Sequence, residues 1–233
     1  MRTIVISDIH GCYNELKDLI SSLEKEGKYN KNTDRLIFLG DYIDRGDNSR
    51  LVVRFIRELQ RKNDNVIALM GNHEKMLLDY QNGIDASWEF NGSYQTMDSY
   101  QGFEEQFDSD VRWMERLPLY YEDDFFVYVH AGIDVNKPLK EQSKNTLLWV
   151  REAFIYSFKK YHKRVVFGHT PTLSFDNSTE PFYTLTDNIG IDTGCVFGGA
   201  LTALIIEDSE VKGFYQVYKE VEEDEEEYEN III

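Results

Sequence analysis

The chain has 233 residues, 42% of them hydrophobic, which is enough for one sizeable core or two small ones. With 42 acidic against 25 basic residues its formal charge is −17, which argues against nucleic acid as a partner because a phosphate backbone needs a basic face. Two cysteines make no disulfide scaffold, and the sixth residues after Cys12 and Cys195 are Asp18 and Leu201, so a C-x5-R cysteine nucleophile is excluded.

The hydrophobic pattern then gives the elements in order. "RTIVIS" near the start reads as a strand, followed by Leu16, Leu19, Ile20 and Leu23 at helical spacing. "DRLIFLG" is a second strand, and Leu51, Val52, Phe55, Ile56 and Leu59 form the next helix face, with Asp47 and Asn48 as candidate caps. "NVIALMG" is a third strand and "EKMLLDY" is helical, so the alternation predicts a parallel sheet covered by helices. Residues 82–118 break that rhythm and are expected to lie as an insertion over the edge of the site. They are polar, aromatic and glycine-containing to Gly102, then helical through "FEEQFDSDVRWMERL" to Pro118. "FFVYVHAG" is a strand, 145–160 a helix, "RVVFGHT" a strand, and 181–218 several short strands around glycine-rich "DTGCVFGG".

No linker divides the chain, so residues 1–218 are expected to form one domain, followed by an acidic tail over 219–233. That tail holds "KEVEEDEEEYEN", with eight acids against one lysine, and reads as a solvated segment suited to contact a basic partner. No apolar run approaches the ~20 residues of a membrane helix, and because "MRTIVISD" leads directly into a strand no signal peptide is expected. A cytoplasmic protein with no membrane partner is expected.

Chemistry collects at the strand ends. "SDIHG", "GDYIDRG", "GNHE", "HAG" and "GHT" each follow an apolar run, and in a parallel α/β sheet such positions share one crevice. Four of the five histidines (His10, His73, His130, His169) stand there, and only His162 lies elsewhere, at a lysine-rich helix end suited to a surface role. One strand-end histidine is ordinarily a hydrogen-bonding turn residue; four of five outweigh that reading. Asp, Asn and His without thiolate suit manganese, iron, zinc or nickel better than magnesium or calcium alone. Two ions ~3.5–4 Å apart need a bridging ligand, and Asp41 is the natural bridge. Two divalent cations against two aspartates and one hydroxide leave a net positive site, suited to a phosphate dianion.

The ordered set, with "IDTG" added, spans residues 7–194 and resembles the calcineurin-like metallophosphoesterases, in particular the small bacterial and phage-type phosphoprotein serine/threonine phosphatases. Ser7 departs from the glycine of many members, at a position that is not a ligand. The resemblance implies an α/β fold: a metallophosphoesterase-type β-sandwich with flanking helices and a di-metal site at the strand C-terminal ends. Asp8, His10 and Asp41 would hold one metal, and Asp41, Asn72, His130 and His169 the other, with manganese first among the candidate ions. Metal-bound hydroxide would attack phosphorus in line. His73 would act as general acid oriented by Asp44, and Arg45 and Arg151 would grip phosphate.

Bland readings stand beside these roles: Asp44 as a helix cap, Arg151 as a surface arginine, Asp192 and Gly194 as a structural turn. Trp88 and Tyr94 are left between core and substrate. The resemblance favours a phosphorylated protein or small phosphoester as substrate. Its rivals are a dinucleoside polyphosphate (diadenosine tetraphosphate) hydrolase and a non-catalytic metal-binding scaffold. Enzymes of the first rival kind more often resemble "GNHD" and lack the second aspartate. The insertion at 82–102 also offers Trp88, Phe90, Tyr94 and Tyr100 for stacking but no lysine or arginine, and three acids, Asp85, Glu89 and Asp98.

Overall fold

The central strands read as unbroken apolar runs because both of their faces are covered. In the computed structural model, which describes residues 1–176 and 178–220, β1 (Arg2–Ile6) turns Ile4 and Ile6 to one core and Val5 to another. After α1 (Tyr13–Lys25), β2 (Arg35–Phe38) repeats the division, with Leu36 and Phe38 on the first side and Ile37 on the second. This is the period of 2 of a pleated strand, filled on both faces. α2 (Ser49–Lys62), β3 (Val66–Ala68) and α3 (Asn72–Gln81) complete the first half.

The insertion is mostly helical: a 3₁₀ turn at Ser87–Phe90, then α4 (Ser93–Ser99) and α5 (Glu104–Met114). α5 ends before Pro118 because Arg116 and Leu117 bond the Trp113 and Met114 carbonyls in tight turns. β4 (Tyr120–Glu122), which the pattern does not predict, pairs antiparallel with β5 (Phe126–Val129). The helix expected over 145–160 is two short pieces, α6 (Lys144–Trp149) and α7 (Glu152–Ile155). A continuous helix would carry Arg151 on the same face as Leu147, Phe154 and Ile155, which are buried. Extended backbone at Val150 (ψ 138°) breaks it and lifts the arginine off the core.

β6 (Arg164–Phe167), α8 (Leu173–Asp176), β7 (Phe182–Tyr183) and β8 (Ile189–Gly190) follow. A hairpin of β9 (Ala200–Glu207) and β10 (Glu210–Tyr218) ends the fold, longer than the short strands expected because the two strands pair with each other along their whole length, while β9 also pairs with β1. Instead of one parallel sheet there are two mixed ones, in the orders β10-β9-β1-β2-β3 and β4-β5-β6-β8-β7. Val5, Ile37, Leu204 and Ile206 of the first meet Phe126, Tyr128 and Val166 of the second in the inner core. The β-sandwich flanked by helices is therefore the one that the resemblance implies. The Lys219 amide still bonds Gly199, while the acidic run from residue 221, with the expected contact to a basic partner, lies outside the described residues. No helix among the described residues is long and apolar enough to cross a membrane.

Candidate active site

Parallel strands β1 and β2 lead into the loops of Asp8–His10 and Asp41–Arg45, and β3 into the first turn of α3 at Asn72–His73; β5 and β6 of the other sheet lead to His130 and His169. The loops are cross-tied. The Asp41 carbonyl accepts from Ile9 and His10 at 2.9 Å, and the Gly168 amide donates to the His130 carbonyl at 2.7 Å. Gly40 (φ 108°) lies so close to the β3 loop that a Cβ there would overlap the Gly71 backbone. Gly46 has no such φ; it is small because a Cβ would overlap the His10 carbonyl.

Nine described residues other than glycine have positive φ, and six of them are Asp8, His10, Asp41, Asp44, Arg45 and His169. Each such conformation costs about 1–2 kcal/mol. Its concentration here marks a backbone bent to aim side chains at one point.

At that point the carboxylate of Asp41 is shared by two groups, one with His10 and His73 and the other with His130 and His169. Asp41 Oδ2 is 3.4 Å from His10 Nε2, and Oδ1 is 3.5 Å from His130 Nε2. Both imidazoles place Nδ1 against a main-chain carbonyl, His10 on Ile43 at 2.8 Å and His130 on Leu39 at 3.1 Å. Those contacts assign the proton to Nδ1 and leave the Nε2 lone pairs facing inward. His130 Nε2 meets Asn72 Oδ1 at 2.7 Å and His169 Nδ1 at 3.2 Å, and buried His169 Nε2 has no protein partner. Converging acceptors with an orphaned imidazole nitrogen fit a cation among them, and the mixed O/N donor set fits a transition-metal dication. Asp8 stands to one side, accepting from the Ser7 hydroxyl and from the His169 amide at 3.1 Å.

His73 is held differently from the other three. Its Nδ1 lies 2.6 Å from Asp44 Oδ2, so Nε2 is its free nitrogen. Asp44, fully buried, also accepts from Trp88 Nε1 at 2.9 Å and Thr96 Oγ1 at 2.7 Å. It caps no helix: α2 begins after Asn48 with no side-chain cap. Glu74, beside His73, accepts from the amides of Asp41, Tyr42 and Gly71 at 2.8–2.9 Å and so fixes the Asp41 turn.

The two arginines frame the opening. Arg45 Nη1 reaches His10 Nε2 at 2.6 Å, a guanidinium where the lone pair calls for a positive charge. Arg151 Nη1 donates to the His169 carbonyl at 2.9 Å and Thr170 Oγ1 at 3.0 Å, so it is no free surface arginine. Arg45, Arg151, His169, Pro171, Leu173 and Phe197 line a cavity of about 480 Å³.

A sequence profile of calcineurin-like phosphoesterases matches residues 1–199. The chain belongs to that family. Among similar proteins, an asymmetrical bis(5'-nucleosyl)-tetraphosphatase, PrpE, of Oceanobacillus iheyensis is 30% identical over 87% of this chain and 88% of its own length. Two solved structures share the fold. A putative diadenosine tetraphosphatase superimposes with TM-score 0.66 at 20% identity, covering 94% of each chain. A protein serine/threonine phosphatase from Saccharomyces cerevisiae does so with TM-score 0.66 at 15% identity, covering 97% of this chain and 82% of that one.

In calcineurin-like phosphoesterases the centre holds two divalent metal ions, and the electrostatics of this chain suit such a load. Burial raises Asp8, and burial with the Asp8 charge pushes Asp192 well above the usual carboxylate range. Burial would raise Asp41 too, but its interactions with the His130, His73 and His10 imidazoles hold it well below. Burial, with the His130 and Arg151 charges, takes His169 down to about 2, which keeps its imidazole neutral.

The ten residues read from the motifs all come to this end of the sandwich. Trp88 of the undecided pair is buried against Asp44, whereas Tyr94 is 76% exposed. Glu74, Ser49 and Thr96 escape the sequence reading. Glu74 had a signal, since an acid three residues after Gly71 is a capping pattern at the start of α3. Thr96 had none, because it meets Asp44 from 52 positions away.

Proposed function

We propose that this calcineurin-like phosphoesterase hydrolyses dinucleoside tetraphosphates. The observation that carries the reading is the cavity beside His169 flanked by both Arg45 and Arg151. Two guanidinium groups suit a chain of phosphates, and each pairs with phosphate oxygens through a planar fork. The sequence objection was that the insertion offers no cation; here the charge comes from outside the insertion. The name and near-complete coverage of the relative support the same substrate class.

The two ions, manganese being the proposed pair, supply Lewis-acid activation of water and of phosphoryl oxygen when bound. Asp8, His10 and Asp41 would hold the first; Asp41, Asn72, His130 and His169 the second. Arg45 and Arg151 hold non-bridging oxygens. Asp44 keeps the His73 proton on Nδ1 in the neutral ring, so that Nε2, once protonated, gives its proton to the leaving oxygen. Burial lowers the His73 pKa against the opposing pull of Asp41 and Asp44, which strengthens it as an acid. Both cysteines are free thiols, in keeping with the proposed cytoplasmic setting.

One observation favours a phosphoserine or phosphothreonine protein as second reading: the intact His73–Asp44 pair suits a poor alkoxide leaving group. The measurement that separates them is kcat/KM with saturating Mn²⁺ on diadenosine tetraphosphate and on phosphoserine peptides. The tetraphosphatase reading expects the dinucleotide to be the better substrate; a higher value on the peptides overturns it.

A further inference from the structure

Phe197 is 55% exposed, yet it does not sit on a loose loop. It ends the 3₁₀ turn Cys195–Phe197, which is bounded by Gly194 and Gly198, both with left-handed backbone. Its amide bonds the Gly194 carbonyl at 2.9 Å, and Gly199 bonds the same carbonyl at 3.0 Å, so the ring stands on a fixed support. The Arg45 guanidinium carbon lies 5.3 Å from the ring centroid. Arg151, His169, Pro171 and Leu173 share its cavity. An apolar ring is thus held in the open directly beside the two phosphate grips.

The insertion does not offer the same arrangement. Trp88 and Tyr100 are buried, Tyr94 lines a separate cavity with Met97 and Phe107, and Phe90, though 84% exposed, is not among the residues that line the cavity of the two arginines.

We propose that Phe197, with Pro171 and Leu173, forms a nucleobase subsite on which one base of the substrate stacks while Arg45 and Arg151 hold its phosphates. This rests on the tetraphosphatase reading and adds where the base goes. Among the described residues the cavity lining contains no amide or carboxylate side chain to read a base edge, and its one aliphatic hydroxyl is Ser174. Stacking alone tolerates any base, because every base has a π face. The subsite therefore binds the nucleoside end without selecting among bases.

The test is calorimetric binding of adenosine 5'-monophosphate and ribose 5-phosphate to the manganese-loaded protein, two monoesters that differ by the base. The nucleotide is expected to bind about five- to a hundredfold tighter, the range of one stacking contact. Phe197→Ala should erase that advantage and leave ribose 5-phosphate within about twofold of its starting affinity; Phe197→Trp should restore it. Guanosine and cytidine monophosphates should bind within a few-fold of the adenosine compound. Equal binding of nucleotide and sugar phosphate by the unaltered protein overturns the subsite, as does an advantage that survives Phe197→Ala. If Phe197→Ala weakens both ligands alike, the ring only holds Arg45, and the subsite falls. Turnover of diadenosine tetraphosphate by the unaltered protein is measured separately: its absence removes the tetraphosphatase reading, whereas the base contrast is read from binding alone.

Discussion

Asp41 concentrates the chemistry in one carboxylate. One oxygen faces His10, and the other faces His130 while accepting the His73 amide at 3.0 Å. Asp41→Asn keeps the shape but removes the charge needed to hold two dications close together. The expected result is loss of most bound metal and most turnover; two ions per chain with normal turnover, by elemental analysis, would contradict the bridge. His73→Asn tests the acid. It should slow phosphoserine hydrolysis ~10²–10⁴-fold and p-nitrophenyl phosphate hydrolysis far less, because nitrophenolate leaves without a proton. Equal losses on both substrates would make His73 a ligand or phosphate binder instead. At this scale the sequence was legible wherever a residue works by its own chemistry at a strand end. Glu74, Ser49 and Thr96 were hidden because they act on other residues' atoms: Glu74 on three amides, the hydroxyls on the Asp44 turn.

Among the elements, the insertion proves to be part of the site's framework. Trp88 from its 3₁₀ turn and Thr96 from α4 both donate to Asp44, and the Gly92 carbonyl accepts the Arg45 amide at 3.3 Å. Trp88→Phe leaves a buried carboxylate one donor short. Stability should fall by about 1.5–3 kcal/mol, the worth of a hydrogen bond to a charged group, as read by urea denaturation. Turnover should fall as well, because the carboxylate paired with His73 is then held by one side-chain donor fewer. Unchanged stability and turnover would make the contact incidental. Periodicity gave the existence of most elements but not the break at Val150. Leu147, Phe154 and Ile155 fit one helical face, and only the position of Arg151 on that face betrays the conflict.

For the whole molecule, what the chain order could not disclose is the pairing. β1 lies between β2 and β9, with Arg2 opposite Glu207, so the sheet closes on a strand almost at the far end of the described chain. Periodicity is a local signal, and it foretold a single parallel sheet. The motif resemblance reached further because it carries the order of strand ends, which is a property of the fold. Since each sheet brings part of the proposed ligand set, a bound ion would also tie the two sheets together. Ligands that bind only the folded state stabilise it, by about 2.7 kcal/mol at a hundred times Kd. For a domain of this size that is about 5–11 °C in Tm. Chelation should therefore lower Tm by roughly that amount, and readdition of Mn²⁺ should restore it; an unchanged melting curve by calorimetry would argue against ligation across the sheets.

The bond from the Trp88 indole to Asp44 also gives the protein a native optical probe. Indole emission responds to charge nearby, and here the charge belongs to the group that orients His73. Trp149 stands edge-on to His169 at 5.9 Å, while Trp113 is turned away to Gln60. Two of the three tryptophans in the chain thus touch residues of the candidate site, and loading of the site should be visible in unlabelled protein as a change in its own fluorescence.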